Sequence, residues 1–523
     1  MSSRSHVITA TRCVVPLGLR LASALVALVA ITAAAACEPR SRRTPDDTLV
    51  LVIESAMTTS DPRFAISSHD SKLARLVGAG LTAVDTLDLE PRLDLAARID
   101  IVDPLTLDVT VRDDAKFSDG APVMAEDVAW TYSSVLADDS TSLHHKGFVE
   151  RYRSVVARGP KVVRFSLQQP LATLWSDLDF AILAKRNQRG AGPYVLRELT
   201  SIRALLDVNP HYYGTRPKLP HVEIKFVRDA SARLLMLVGG SADLLQNAVR
   251  LDLIEEVQGR PRIHIEAAPS VVLTYLMLNN ADPVLKDQRV RQAIAYAIDR
   301  QAIIAAKFGG RAQLASGLLP AFHWAYAPGL PKWERDLPRA KQLLDDAGLR
   351  DPDGAGPRPR LSLVYKTSSD AFRVTLARVI AAQLADVGID VEVRAFEFAT
   401  FFADVKKGSY QLASMQSAEL NEPDYYYFYF HSSRIPDAKN PDGGNRWRYS
   451  NATLDKLTEQ GRSELDRAKR KTIYAEAQHI VARDLPIIPL WHEDNVALTN
   501  KTVQGYTITP NARYIGLINA FKQ

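Results

Sequence analysis

The stretch Asp287–Arg300 reads DQRVRQAIAYAIDR. Val290, Ile294, Ala297 and Ile298 fall on one face at helical spacing. Asp287 stands where a carboxylate can accept the first unpaired N–H groups of a helix. The pattern predicts one helix over Asp287–Ile304. Downstream, Pro338–Ala347 and Ser369–Val387 are also helical and are followed by Gly348 and Gly388, which suit the left-handed position after a helix. Ser463–Asp484 reads as a long helix stopped by Pro486, with Ile487–Trp491 returning as a strand. Upstream, Ala125–Leu136 places Val128, Tyr132 and Val135 on one helical face. Thr48–Glu54 (TLVLVIE) is rich in β-branched residues, and Thr106–Val111, Val162–Leu167 and Val222–Val227 alternate at period two. Strands and helices intermixed over this length predict an α/β protein with several lobes.

The first 36 of the 523 residues have a different character. Arg4, Arg12 and Arg20 precede the apolar run Leu21–Ala36, which ends in three alanines before Cys37. A basic start, a short apolar run and small residues at a cut site are the parts of a secretory signal. The run of 16 residues is shorter than the ~20 of a spanning helix. Small residues just before Cys37 resemble a bacterial lipobox, although Ala34 stands where that pattern usually has Leu. The resemblance implies that Cys37 is lipidated and anchors the chain to a membrane. Glu38–Asp47 (EPRSRRTPDD) reads as a flexible tether. Cys13 lies in the part removed, so the mature chain cannot form an internal disulfide.

The whole chain carries a net charge of +5, and removing Met1–Ala36 takes three of its 65 basic residues and none of its 60 acidic ones. The remainder is almost neutral and has no basic block, which leaves nucleic-acid binding without a footprint.

Seven motifs, in order, resemble those of the extracellular solute-binding proteins of ABC transporters, family 5, the oligopeptide, dipeptide and nickel-binding group. They are RDDAKFSDGAPVMAEDV at Arg112–Val128, GAGPY at Gly190–Tyr194, NPHYY at Asn209–Tyr213 with GGSAD at Gly239–Asp243, the Asp287–Arg300 stretch, NEPD at Asn421–Asp424, YSN at Tyr449–Asn451 and LPIIPL at Leu485–Leu490. The likeness runs from about Thr48 to about Asn500. It implies a two-lobed periplasmic-binding-protein fold of the type II cluster, with three domains and two chain crossings. Residues 48–80, 187–276 and 485–523 would form a discontinuous domain, 81–186 an insertion in it, and 277–484 the second lobe. A ligand would sit between lobes that close by hinge motion and then dock on a permease. A monomer in the periplasm or cell envelope is expected. Most of the motifs have structural reasons, and Arg289, Arg291 and Arg300 are expected to make surface or interlobe ion pairs.

In peptide-binding members a carboxylate just before the NEPD-like motif holds the ligand ammonium. Glu419 occupies that place, where peptide binders usually have Asp. Gln416, Ser417, Asn421 and Tyr425 are expected beside it at the ligand, with Gln416 standing where the resemblance leads one to expect an aromatic. Tyr410–Ser417 reads as a strand edge to which an extended peptide can add through main-chain bonds. Tyr425–Phe430 (YYYFYF) would be a helix aromatic on every face, so some rings must be core.

No HExxH, G-x-S-x-G or P-loop occurs. His144-His145 would point apart on a strand and lacks a spaced third ligand. Asp351-Pro352-Asp353-Gly354 begins like a calcium loop without its Glu and reads as a turn. No catalysis, cofactor or resident metal is expected. Two other classes stand beside the peptide receptor. One is a periplasmic hydrolase whose nucleophile and base meet only in space. The other is a receptor for a metal complex, sugar or opine, or one serving a signalling partner.

Overall fold

The computed structural model describes residues 43–354, 356–417 and 420–523. Its spine is a mixed sheet of 11 strands. In one half, Thr48–Ile53 lies parallel to His221–Phe226 and Leu244–Gln246, and Arg203–Val208 and Tyr194–Leu199 continue antiparallel to the edge. In the other half, Leu412–Ser417, Leu361–Ser368 and Ile389–Phe396 lie parallel.

Two long strands join the halves. Ile263–Leu278 and Ile487–Asn500, of 16 and 14 residues, pair antiparallel with each other. Leu244–Gln246 pairs with Ala497–Thr499 at one end, and Leu412–Ser417 pairs with Leu273–Leu278 at the other. Along this pair the register shifts twice, from Ala268 to Val272 and from Thr274 to Tyr275. Such shifts leave residues unpaired and sharpen the local twist.

A separate four-stranded antiparallel sheet is built from Ala96–Asp103, Thr106–Val111, Val162–Leu167 and Tyr152–Ala157. The helix Ala125–Leu136 covers it with the face read from the sequence. Val128, Tyr132 and Val135 are fully buried, and Tyr132 meets Phe165 edge-on at 5.0 Å. Met124 has no side-chain acceptor for a cap, but Asp127 accepts the Met124 N–H at 3.0 Å and so keeps half of a reciprocal cap. An aromatic core around Tyr426, Trp447 and Tyr474 also takes in Val84 and Leu89, which precede the small sheet.

Several expectations are corrected. Asp287 does cap a helix, accepting the Arg289 N–H at 2.9 Å, but that helix is Gln288–Ala297. A second, Arg300–Phe308, starts afresh because Asp299 accepts the Ala302 N–H at 2.8 Å. Asp competes for nearby N–H groups, so it opens helices better than it continues them. Asp466 does the same between Ala452–Ser463 and Arg467–Asp484, so Ser463 ends one helix and does not begin the next.

The arginine expectation holds only for Arg289, paired with Asp287 at 2.6 Å. Arg291 and Arg300 are 4% and 3% exposed and bind main-chain carbonyls. Arg291 donates to Leu285, Lys286, Asp484 and Leu485. Arg300 donates to Ala315 and Pro489, both at 2.8 Å, and to Lys332 and Trp333. Burial without a carboxylate partner pulls the Arg300 guanidinium down to about 10. His144-His145 is not on a strand. It opens the helix His145–Arg151, and His145 Nδ1 donates to the Val135 carbonyl at 2.8 Å. Among the described residues no helix is long and apolar enough to cross a membrane.

Candidate ligand-binding site

A cavity of about 610 Å³ opens between the two halves of the sheet. Val249, Arg250 and Glu255 line it from one half. Lys307, Phe308, Arg311, Phe372 and Arg373 line it from the other, where one helix ends and another begins. Its remaining wall is strand: Gln416 on Leu412–Ser417 and Glu493 on Ile487–Asn500. Gln416 lies opposite Thr274, whose hydroxyl donates to Glu493 Oε1 at 2.8 Å. The cavity therefore touches the joining strands beside their register shift.

The residues expected at the ligand are distributed as follows. Gln416 lines the cavity. Ser417 and Tyr425 meet through Tyr429: the Ser417 and Tyr429 hydroxyls are 2.9 Å apart, and the Tyr425 and Tyr429 rings stack at 5.8 Å. Asn421 is half-buried, and its Oδ1 has no partner among the described residues. Glu419 and Cys37 lie outside the described residues. The strand leading to Glu419 is an edge only in part. Leu412 and Ala413 pair on both sides, whereas Ser414–Ser417 pairs with Ile263–Leu278 alone.

Tyr425–Phe430 is a helix with Tyr426, Tyr429 and Phe430 buried, so half of its rings are core. Asn445 is also core. It bridges the carbonyls of Phe430, His431 and Tyr449 and accepts the Tyr449 N–H at 3.1 Å.

A second set of contacts joins the segment around the small sheet to the far half of the molecule. Ser176 Oγ donates to Glu422 Oε2 at 2.9 Å, Ala172 N to the Arg462 carbonyl at 2.7 Å and Trp324 N to the Asp88 carbonyl at 3.0 Å. Arg467 pairs with Glu90, and Arg470 with Glu422. Asp424 receives Arg462 at 3.2 Å and the Tyr474 hydroxyl at 3.1 Å. Burial pushes the Glu422 carboxyl above the usual range, opposed by Arg470 and Ser176. Burial also raises the nearby Asp177, against the pull of Arg151.

Comparison with known proteins gives this geometry a context. Residues 90–437 match the family described as bacterial extracellular solute-binding proteins, family 5 Middle. The chain belongs to this family. It is 27% identical over 438 residues to the probable D,D-dipeptide-binding periplasmic protein DdpA of Escherichia coli, covering 79% of this chain and 81% of that one. NikZ from Campylobacter jejuni, solved with Ni(L-His), superposes with a TM-score of 0.72 at 25% identity, over 92% of this chain and all of NikZ. The oligopeptide-binding protein AppA from Bacillus subtilis, solved with a nonapeptide, gives 0.68 at 25% identity over 91% and 99%. The fold is the two-lobed type II binding-protein fold. The chain is a solute-binding protein of ABC importers, in a family that takes peptides or related ligands outside the cytoplasm. Its relatives are binding proteins and not enzymes.

The family 5 motifs hold one another. Asn209 of NPHYY donates to the Gly192 carbonyl of GAGPY at 2.8 Å. A Cβ on Gly190 or Gly192 would fall on the Val77 backbone, so only glycine fits there. Buried Asp243 of GGSAD accepts the Val50 N–H and the Lys522 ammonium, both at 2.8 Å, which ties the first strand to the chain's end. Arg291 and Arg300 reach the carbonyls of Leu485 and Pro489 in LPIIPL. These motifs specify the fold of a family 5 protein rather than its ligand.

Sequence reasoning missed the cavity's Lys307, Arg311, Arg373 and Glu493. Only Glu493 left a trace, as the alternate residue after Trp491 had the strand been extended.

Proposed function

We propose that this chain is a lipid-anchored, extracytoplasmic receptor that captures a peptide-like ligand between its lobes and hands it to an ABC permease. The observation that carries the proposal is the cavity between the halves of the sheet, bordered by a strand whose segment Ser414–Ser417 has one free edge and runs toward Glu419. A free edge offers main-chain hydrogen bonds that any peptide can use. Glu419 would supply the charge that fixes the ligand's ammonium end, with Gln416, Ser417, Asn421 and Tyr425 around it. The peptide named for DdpA and the nonapeptide seen on AppA support the same ligand class. In this reading 48–80, 187–276 and 485–523 with the insertion 81–186 form one lobe and 277–484 the other. The lobes flex at the register shifts of the joining strands and work as a monomer.

The tether has a purpose in this scheme, because a receptor must stay near its permease. Replacing Cys37 by Ser is expected to move the protein from the membrane fraction to the soluble fraction. Tight retention of the variant would rule out the lipid. Glu419→Gln is expected to weaken peptide binding by roughly 2 kcal/mol, through loss of one member of a shielded charge pair. Calorimetry checks this, and an unchanged affinity would remove Glu419 from the site.

A further inference from the structure

The cavity between the halves carries an uneven charge. Four cationic side chains line it, Arg250, Lys307, Arg311 and Arg373, against two anionic ones, Glu255 and Glu493. Arg250 has a partner of its own. The other three cations have none of opposite charge: among the described residues no carboxylate lies within 4.0 Å of Lys307, Arg311 or Arg373. Arg311 reaches only the neutral Gln258, at 3.5 Å. Arg373 leans toward the Phe372 ring at 5.6 Å, and its buried Nη1 has no hydrogen-bond partner. Glu255 and Glu493 offset part of this charge. Glu493 is held by the Thr274 hydroxyl at 2.8 Å, neither acid forms an ion pair among the described residues, and four cations against two carboxylates leave the cavity with a positive excess.

Uncompensated like charges in a partly enclosed, low-dielectric space repel one another and focus a positive field into it. Closing the lobes around them is costly unless the occupant brings the missing negative charge. A neutral zwitterion supplies as much positive charge as negative and leaves the excess uncorrected. An occupant with one or two additional carboxylates removes it and gains charge-assisted hydrogen bonds to guanidinium and ammonium groups.

We infer that the ligand is acidic: a peptide carrying at least one carboxylate beyond its terminal pair, seated against Lys307, Arg311 and Arg373. This rests on the cavity being the ligand site. It adds a charge selection that free-edge pairing, being blind to side chains, does not give.

The test is calorimetric titration of the full mature protein, stripped of bound ligand, with tripeptides of equal length bearing a central Glu, Ala or Lys, and with glutarate alone. The expected order is Glu over Ala over Lys, with at least a tenfold step between Glu and Ala at low salt. That step is expected to shrink as salt is added and to collapse in Arg373→Gln and Lys307→Gln. Equal or reversed affinities among tripeptides that do bind would overturn the acidic-ligand inference and leave the peptide receptor standing. Binding of glutarate with no tripeptide bound would instead overturn the peptide reading and keep the cavity's demand for carboxylates. Binding of none of the four would overturn both.

Discussion

Arg300→Met is expected to destabilise the protein by about 3 kcal/mol. The side chain is 3% exposed and satisfies carbonyls from four residues in three separate segments: Ala315, Lys332 with Trp333, and Pro489. Methionine fills most of the volume but donates nothing. Each buried carbonyl left without a donor costs about 1 kcal/mol or more. Removing a desolvated guanidinium returns part of that loss, which keeps the net change below the sum. Arg289→Met, earlier in the same motif and on an exposed pair, is expected to stay within about 0.5 kcal/mol. Denaturant unfolding of the two variants measures the contrast. Equal midpoints would show that the buried arginine does not hold the second half together.

Arg470→Met is expected to cost about 3 kcal/mol or more, and to cost it in closure rather than in folding. Arg470 pairs with Glu422, which also receives Ser176 from the opposite side of the molecule. Without the arginine, Glu422 becomes a buried carboxylate with one hydroxyl donor, and breaking a buried pair from one side costs 3–5 kcal/mol. The protein can avoid that penalty by holding Ser176 and Glu422 apart, where water reaches the carboxylate. The variant is therefore expected to populate an open form, with a larger radius of gyration and ligand affinity lower by about two orders of magnitude. Glu422→Gln in the same chain should restore most of the affinity, since the uncompensated charge is gone. Scattering and calorimetry on the single and double variants read this coupling. Strict additivity would mean that the two side chains act independently.

The parts of the fold legible in the sequence were those set by local chemistry. Ala125–Leu136, Thr106–Val111 and Val162–Leu167 carry their own periodicity and fall as expected. The helices before Gly348 and Gly388 end within two residues of expectation, with both glycines at positive φ. What failed depended on distant partners. The strand expected over Ile487–Trp491 runs on to Asn500. Two polar residues in this extension are held from elsewhere, Glu493 by Thr274 and Asn495 by the carbonyls of Thr509 and Pro510. Arg291 and Arg300 were misread for the same reason, since a sequence does not show that main-chain carbonyls will converge on a buried guanidinium.

The candidate site divides the same way. Gln416 could be placed because it precedes a recognisable motif. The cations facing it could not, since Arg250, Lys307, Arg311 and Arg373 come from three stretches that only the folded sheet brings together. Asp299 and Asp466 give a smaller lesson: an aspartate inside an apparently continuous helix deserves to be read as a new start.

Native mass spectrometry of the mature protein, purified from its own cells and then offered a mixed pool of short peptides, tests the central claim most directly. Capture of a peptide-like ligand between the lobes predicts bound masses that fragment as peptides and are released intact on denaturation. A protein that carries no peptide and takes none from the pool, or that returns the peptides cleaved, would contradict it.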